Sequence, residues 1–178
     1  MPITATDLLT KLSVVAAAGN TTAGTPAGSL GDQISTTQIT EATVGNLFDA
    51  ISGDENAASV VDYRCLFFHN AHATLALTAV KVWISAEVAG GASTAIGLDP
   101  AGVTALGAAA AQAATIANEL TAPAGVTFTA PTTKAGGLAV ADIPAGSVVA
   151  VWVRRTAANT AAVDSDGATI SIGGDTAA

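Results

Sequence analysis

The feature that most constrains this chain is a hydrophobic pattern of period two that begins near residue 60. Its strongest example, Ser147–Thr156, alternates three valines with Ala150, Trp152 and Arg154. Side chains that alternate in this way lie on opposite faces of a β-strand. The pattern therefore predicts a strand with one apolar face and one mixed face.

Several other segments have the same character. Val60–Asn70 and Thr74–Glu87 alternate over their lengths, and a slip at Thr78-Ala79 predicts a β-bulge. Turn residues separate these runs, and short alternating runs with such spacing are typical of an antiparallel β-sandwich. We expect an all-β, Ig-like or jelly-roll-like sandwich over residues 56–178. The Ala-rich stretch Ala105–Ala117 is compatible with either a helix or an extended, packed loop. Shorter strands are predicted at Ala95–Leu98, Thr115–Glu119, Val126–Thr129 and Thr169–Ile172.

The first 55 residues differ in composition from the rest. Leu8–Val15 could form a short strand or one helical turn, whereas Ala16–Gly31 is rich in Gly, Thr and Ala and has little to bury. Apolar residues spaced three and four apart within Gln33–Ser52 predict a short amphipathic helical segment; they are Val44, Leu47, Phe48 and Ile51. We expect residues 1–55 to form an extended N-terminal arm that lies on the domain or on a neighbour. Removal of residues 1–28 should then leave a folded domain.

Charge and length exclude several classes of protein. The 178 residues carry 6 basic and 14 acidic side chains, a net charge of −8, so phosphate-rich nucleic acid is not an expected partner. Alanine accounts for 42 residues, which explains the high apolar content without a membrane span. No uninterrupted apolar run of about 20 residues is present, and none is expected to cross a bilayer.

Residues capable of chemistry are few and poorly arranged for it. His69 and His72 flank a predicted strand end, where a spacing of three gives no shared face for a metal. Asp164 and Asp166 resemble the start of a calcium loop, but a strand follows, which favours an Asx-type hairpin turn. Cys65 lies about 13 Å along the strand from His69, too far for a nucleophile and its base, so a buried structural thiol is expected.

The remaining polar and aromatic candidates also have structural interpretations. Arg154 and Arg155 point to opposite faces of a strand, and one of them is expected to pair with an acidic neighbour. Trp83 and Trp152 are predicted to lie in the sandwich core. No phosphate-binding glycine loop or nucleophile elbow occurs in the sequence. We therefore predict no catalytic, cofactor-binding or metal-binding residues and no enzymatic activity.

Particular stretches resemble a family of virion structural proteins of tailed bacteriophages. The resemblance extends in order over residues 29–175, and Val103–Ala114 departs from the family pattern as an insertion would. The stretches that carry it are Ser29–Ser35, Leu47–Asn70, Lys81–Ser85, Ile96–Gly102, Thr121–Thr132 and Leu138–Thr156.

The resemblance implies a non-enzymatic component of the phage particle. Within that family we expect a capsid decoration (cement) protein on the outside of the head, made in the bacterial cytoplasm. Its partners would be the major capsid protein and other copies of itself. Two alternatives remain: another virion part, such as a head–tail completion, tail or fibre protein, or a carbohydrate-binding adhesive sandwich. The last would need exposed aromatic side chains on one sheet face.

Overall fold

The computed structural model describes residues 2–16 and 19–176. Strands make up 42% of the residues and helices 8%, which places the protein in the all-β class. One six-residue helix, α1, spans Gly53–Ala58, and short 3-10 turns occur at Ala5–Asp7 and Pro26–Gly28. The strands are β1 (Leu8–Val14), β2 (Gln33–Gln38), β3 (Val61–Asn70), β4 (Leu77–Glu87), β5 (Ser93–Ala105), β6 (Leu138–Ala139), β7 (Ser147–Thr156) and β8 (Ala168–Thr176).

The strands form two antiparallel sheets that pack face to face, which confirms the predicted sandwich. The large sheet has the order β2-β1-β3-β7-β5 and the small sheet the order β6-β4-β8. The centre of the large sheet is the β3–β7 pair, whose register runs without interruption from Val61↔Thr156 to Asn70↔Ser147. The bulge predicted in β4 is present, because the β4–β8 register shifts after Thr78 and Ala79 has a φ of 49°.

Period-two patterning in β3 and β7 gives the large sheet two apolar faces. Leu66 and Phe68 of β3 belong with Val149, Val151 and Val153 of β7 to the core between the sheets. The opposite face carries a second buried cluster, which comprises Cys65, Phe67, Val148, Ala150, Trp152, Ala113 and Ile116. Loops rather than a sheet cover this second cluster. One face of the large sheet is therefore covered by the small sheet and the other by loops.

Trp152 is fully buried, but it lies in the second cluster and not between the sheets. Its cover comes partly from the Ala-rich stretch, which forms turns and extended chain; of the two alternatives for residues 105–117, the packed loop is the one observed. Gly31 permits the close approach of this cover: a Cβ there would come within 1.8 Å of the Ala114 carbonyl oxygen and 3.0 Å of the Trp152 ring. The same residue has a φ of 95°, which favours glycine.

The expectation for Trp83 is wrong. Trp83 is half-buried, whereas its neighbours Val82 and Ile84 are buried in the core between the sheets. Because side chains alternate along β4, Trp83 lies on the outer face of the small sheet, where its ring packs close to Gly173 of β8. The sequence pattern identified the strand but assigned Trp83 to the wrong face.

The N-terminal residues do not form an arm separate from the sandwich. β1 lies between β2 and β3 in the large sheet, with Leu8 opposite Asn70 and Leu12 opposite Leu66. Leu12 is buried in the core between the sheets. The boundary placed at residue 55 is therefore wrong, because pairing with distant β3 orders a segment whose own composition is weak.

The predicted helical segment is also displaced. Residues 41–48 form turns and bends, and Gly45 has a φ of 73°, which a regular helix does not contain. The helix starts instead after Ser52, whose hydroxyl accepts a hydrogen bond from the Glu55 N–H at 3.3 Å while Glu55 Oε2 accepts one from the Ser52 N–H at 2.7 Å. This reciprocal capping box defines where α1 begins.

Two of the shorter strand predictions are wrong. Thr115–Glu119 and Val126–Thr129 form no strand; each makes a single bridge, Thr115 with Gly31 and Thr129 with Ile96. β5 is longer than the predicted Ala95–Leu98, since it spans Ser93–Ala105, with a register shift against β7 between Leu98 and Val103. Bridges of this kind depend on distant partners, so local alternation does not reveal them.

Candidate functional site

One end of the sandwich collects acidic side chains from three loops. β3 begins, β7 ends and β5 begins at this end, where Val61 and Ser93 both lie opposite Thr156. The small sheet reaches the same end, because Glu87 of β4 pairs with Ala168 of β8 and the chain passes directly from β4 to β5. We call this surface the acidic end, defined by Asp49, Asp54, Glu55, Glu87, Asp164 and Asp166.

Hydrogen bonds join the three loops into one surface. The Asn56 side-chain amide donates to the Thr160 carbonyl oxygen at 2.7 Å, and the Thr160 hydroxyl donates to the Gly90 carbonyl oxygen at 3.0 Å. Asp166 Oδ2 accepts the Ala92 N–H at 2.7 Å. Residues 49–60, 87–92 and 157–167 contain no lysine or arginine, so these loops contribute negative charge without a compensating cation of their own.

The arginines near this end point inward. Arg64 is 1% exposed and forms an ion pair with Glu119. Arg155 binds Asp62 Oδ2 through Nη2 at 2.6 Å. Phe48 lies between the two guanidinium groups, with ring centroid distances of 5.6 Å to Arg64 and 4.6 Å to Arg155. The arginines thus hold the residue 41–52 segment against the core. Arg155 also lies 3.6 Å from Asp49 Oδ1 and offsets the charge of that residue, but the other five acids of the acidic end form no ion pair with a described residue.

Arg154 and Arg155 occupy opposite faces of β7, as predicted. Arg154 lies 5.4 Å above the ring of Phe128 on one face, whereas Arg155 contacts Phe48 and Asp62 on the other. The expected acidic partner is therefore Asp62. The Arg64–Glu119 pair was not predicted, and the only sequence signal for it was a charged residue in the middle of an otherwise apolar strand.

Two large apolar side chains are mostly exposed. Val44 is 85% and Leu120 is 62% exposed; the latter follows Glu119, the partner of Arg64. A cavity of about 60 Å³ lies beside Val44, lined in part by Leu12 and Ile39. Ligand sites usually have volumes of about 300–1,000 Å³, so this cavity is too small for an organic substrate.

The two histidines do not share a site. His69 lies in β3 and is buried, and neither of its ring nitrogens has a hydrogen-bond partner among the described residues. Burial, together with the positive charge of Lys11, lowers the pKa of His69. His72 lies in the turn after β3, where its Nδ1 accepts the N–H groups of Thr74 at 3.1 Å and Leu75 at 3.0 Å. His72 thus orders a turn.

Cys65 is fully buried opposite Trp152 in the β3–β7 pair. Burial, reinforced by the negative charge of Asp99, raises the pKa of the Cys65 thiol well above its usual value. A thiol with a raised pKa is a poor nucleophile, because the thiolate is the reactive form. The predicted structural role agrees with this environment.

Asp164 and Asp166 precede β8, but the turn they form is not part of a hairpin. β7 belongs to the large sheet and β8 to the small one, so this loop crosses from one sheet to the other. Asp166 binds the Ala92 N–H across the acidic end instead of closing its own turn. The expected hairpin is therefore wrong, and the carboxylate joins two loops.

Asp99 was not singled out in the sequence, yet it organises the second cluster. It is buried, and its Oδ2 accepts both the Trp152 indole N–H and the Ala114 N–H at 2.8 Å. Its Oδ1 accepts the Ala101 N–H at 2.9 Å. An acidic residue before proline is an ordinary turn pattern, which conceals this role in the sequence.

Within residues 2–16 and 19–176, no three His, Cys, Asp or Glu side chains are grouped so that they could hold a metal ion. No helix in the same part of the chain is long and apolar enough to cross a membrane.

Searches with protein-family models, against curated proteins and against solved structures found no match to this chain.

Proposed function

We propose that the protein is a capsid decoration protein of a tailed bacteriophage, which binds the outer face of the head and stabilises contacts between major capsid subunits. The phage assignment depends on the resemblance of residues 29–175 to virion structural proteins. The observation that supports a structural role most directly is that buried charged side chains bind other groups of the same chain. Asp99, Asp62 and Arg64 all bind other parts of the chain.

The acidic end supports a position on the outside of the shell. Its exposed carboxylates repel the phosphates of packaged DNA and are attracted to a basic protein surface. Val44 and Leu120 add exposed apolar area to the surface. A charged surface with a few apolar contacts is suited to a site that is repeated by symmetry, where each copy contributes modest binding energy.

The aromatic side chains do not favour the carbohydrate-binding alternative. All seven lie in the described residues, and each is buried or half-buried. Trp83 lies on an outer sheet face, but no second aromatic accompanies it on β4. A sugar-stacking surface usually needs rings that are exposed, so this alternative receives no support from their placement.

Copy number per particle tests the proposal. Quantitative mass spectrometry of purified particles should give hundreds of copies if the protein decorates the shell. A handful of copies would assign it to the tail or the head–tail junction, and its absence from particles would contradict the proposal. Particles made without the protein should release their DNA at a lower temperature, because a ligand that binds only the intact shell stabilises it.

A further inference from the structure

The free edge of β8 differs from the other sheet edges. β2 is covered by Asn20, whose Oδ1 accepts the Thr36 N–H at 3.2 Å. β5 is covered by the chain at Thr129, which exchanges two backbone hydrogen bonds with Ile96 at 2.8 and 2.9 Å. β6 has only two residues. β8 has nine residues, and within residues 2–16 and 19–176 no backbone–backbone hydrogen bond reaches its second edge. At the end of the strand, the Ile3 N–H donates to Thr176 Oγ1 at 3.2 Å.

The hydrogen bonds of β4 show which β8 groups face outward. The Ile84 N–H donates to the Pro131 carbonyl oxygen at 2.8 Å, on the side of β4 away from β8. Ile84 lies opposite Ile170, so this is a non-hydrogen-bonded pair and the Ile170 N–H and C=O point away from β4. Ile172 is two residues further on, opposite Val82, and has the same orientation.

The side chains at this edge are incompletely covered. Ile170 and Ile172 pack against the core between the sheets but remain half-buried, whereas Val82 and Ile84, their neighbours in β4, are 0% and 3% exposed. A further strand beside β8 would cover the two isoleucines and would satisfy their outward N–H and C=O groups. Both effects favour addition of an extended segment.

The edge also lacks the usual protection against strand addition. β8 contains no proline and no lysine, and its one charged residue is Asp175. Asp164 and Asp166 lie just before the strand, and residues 156–178 contain no basic side chain. Lys134 is close to β8, near Gly173, but it lies beside Trp83 on the outer face of the small sheet. An incoming strand therefore meets negative charge at both ends.

This charge distinguishes between two occupants. A second copy that paired antiparallel about Ile172 would place Asp175 opposite Thr169, within a few residues of Asp166 of that copy, and symmetry would repeat the contact. Each copy also carries a net charge of −8. Like charges across a strand pair destabilise it, whereas basic side chains in the same places are attracted.

We propose that the free edge of β8 binds an extended segment of a partner protein, apolar at alternate positions and basic at both ends, which adds as a fourth strand to the small sheet. The apolar side chains of the segment cover Ile170 and Ile172, and its basic ends lie beside Asp175 and the Asp164–Asp166 turn. The proposal depends on the sheet edge and does not require the partner to be a capsid protein.

Amide hydrogen exchange with a synthetic probe tests it. The probe is the peptide Lys-Val-Thr-Val-Thr-Val-Thr-Val-Lys, and the control has glutamate at both ends. The amides of Ile170 and Ile172 should exchange rapidly in the free protein, and the lysine-ended probe should slow them about tenfold or more. Ser171, whose N–H faces β4, should be protected with and without the probe. The glutamate-ended control should bind about tenfold more weakly.

Two variants test the backbone pairing and the charge of the β8 edge separately. Ile172→Pro removes an outward N–H without removing a β4–β8 hydrogen bond and should weaken binding of the probe about tenfold, whereas Ile172→Val should bind within about twofold of the unaltered protein. If Ile172→Pro does not fold, Asp175→Lys serves instead, because it should weaken binding of the lysine-ended probe and strengthen that of the control.

Three results would overturn the proposal. The first is slow exchange of both isoleucine amides in the dilute free protein, which would mean that the edge is already covered. The second is exchange that the lysine-ended probe leaves unchanged. The third is protection that appears without any probe as protein concentration rises, which would make a second copy the occupant.

Discussion

The indole N–H of Trp152 and the carboxylate of Asp99 form a buried hydrogen bond of 2.8 Å that joins the large sheet to the loop covering its outer face. The same carboxylate oxygen accepts the Ala114 N–H. Asp99 therefore connects the β5 bulge, the centre of β7 and the Ala-rich cover. The second cluster depends on this carboxylate for its polar contacts as well as on apolar packing.

Loss of the Asp99 carboxylate should destabilise the protein strongly. Asp99→Ala leaves the buried Trp152 N–H and the partly buried Ala114 N–H without acceptors, and each such group costs about 1–3 kcal/mol. We expect the free energy of unfolding to fall by about 3–5 kcal/mol in a denaturant titration. Asp164→Ala, an exposed acid with no hydrogen bond to a described residue, is the control and should change it by less than about 0.5 kcal/mol. Equal effects of the two substitutions would contradict the role of Asp99.

Phe48 should stabilise the segment that precedes α1. Phe48→Ala removes a half-buried ring that lies between Arg64 and Arg155, with an expected cost of about 2–3 kcal/mol in the free energy of unfolding. Phe48→Leu retains apolar contact but not the ring and should cost about half as much. Val44→Ala, at a side chain that is 85% exposed, provides the control. If Phe48→Ala melts at the same temperature as Val44→Ala, the ring does not hold this segment.

Removal of residues 1–28 should abolish cooperative folding. The deletion removes β1 from its place between β2 and β3, which leaves β2 without a partner and exposes the β3 edge from Leu66 to Asn70. Circular dichroism should show no cooperative thermal transition. A single substitution tests the role of β1 without removing the strand. Leu12 is 1% exposed, so Leu12→Ala should lower the free energy of unfolding by about 2–5 kcal/mol. If the truncated protein has an unchanged melting curve, residues 1–28 are not needed for folding, as the sequence-based prediction of a separate arm requires.

Stability should fall as the solution becomes mildly acidic, in part through His69. Burial lowers the pKa of His69 in the folded protein, so below pH ~6.5 the unfolded chain binds more protons than the folded one. The contribution of His69 is complete above that pH and is lost as the pH falls towards the lower pKa of the folded state. Urea titrations between about pH 5 and 7 should show a smaller loss of stability on acidification in His69→Gln than in the unaltered protein. The same loss in both proteins would show that other groups account for it.

The sequence predicted the strands with the strongest alternation well. β7 has the predicted bounds, β3 starts one residue later than expected, and the bulge in β4 is where the pattern slips. Of the two alternatives for Leu8–Val15, the strand is the one observed, but its place between β2 and β3 was not predicted. The helical segment predicted within Gln33–Ser52 was wrong: Gln33–Gln38 pairs with β1 as a strand, because tertiary pairing outweighs weak local propensity. Of the polar contacts, only the pairing of Arg155 was expected. Arg64–Glu119 and Trp152–Asp99 join residues 55 and 53 positions apart, and no local pattern records such contacts.

The sequence by itself determined that the chain forms strands with two different faces and that its charge is strongly negative. These properties depend on side-chain alternation and composition, which are local or additive. Only the tertiary structure decided what covers each face: the small sheet covers Val151, the Ala-rich loop covers Trp152, and the outer face that carries Trp83 stays half-exposed. A hydrophobic pattern of period two shows that neighbouring side chains lie on opposite faces of a strand. Whether a face becomes core or surface depends on segments far away in the chain.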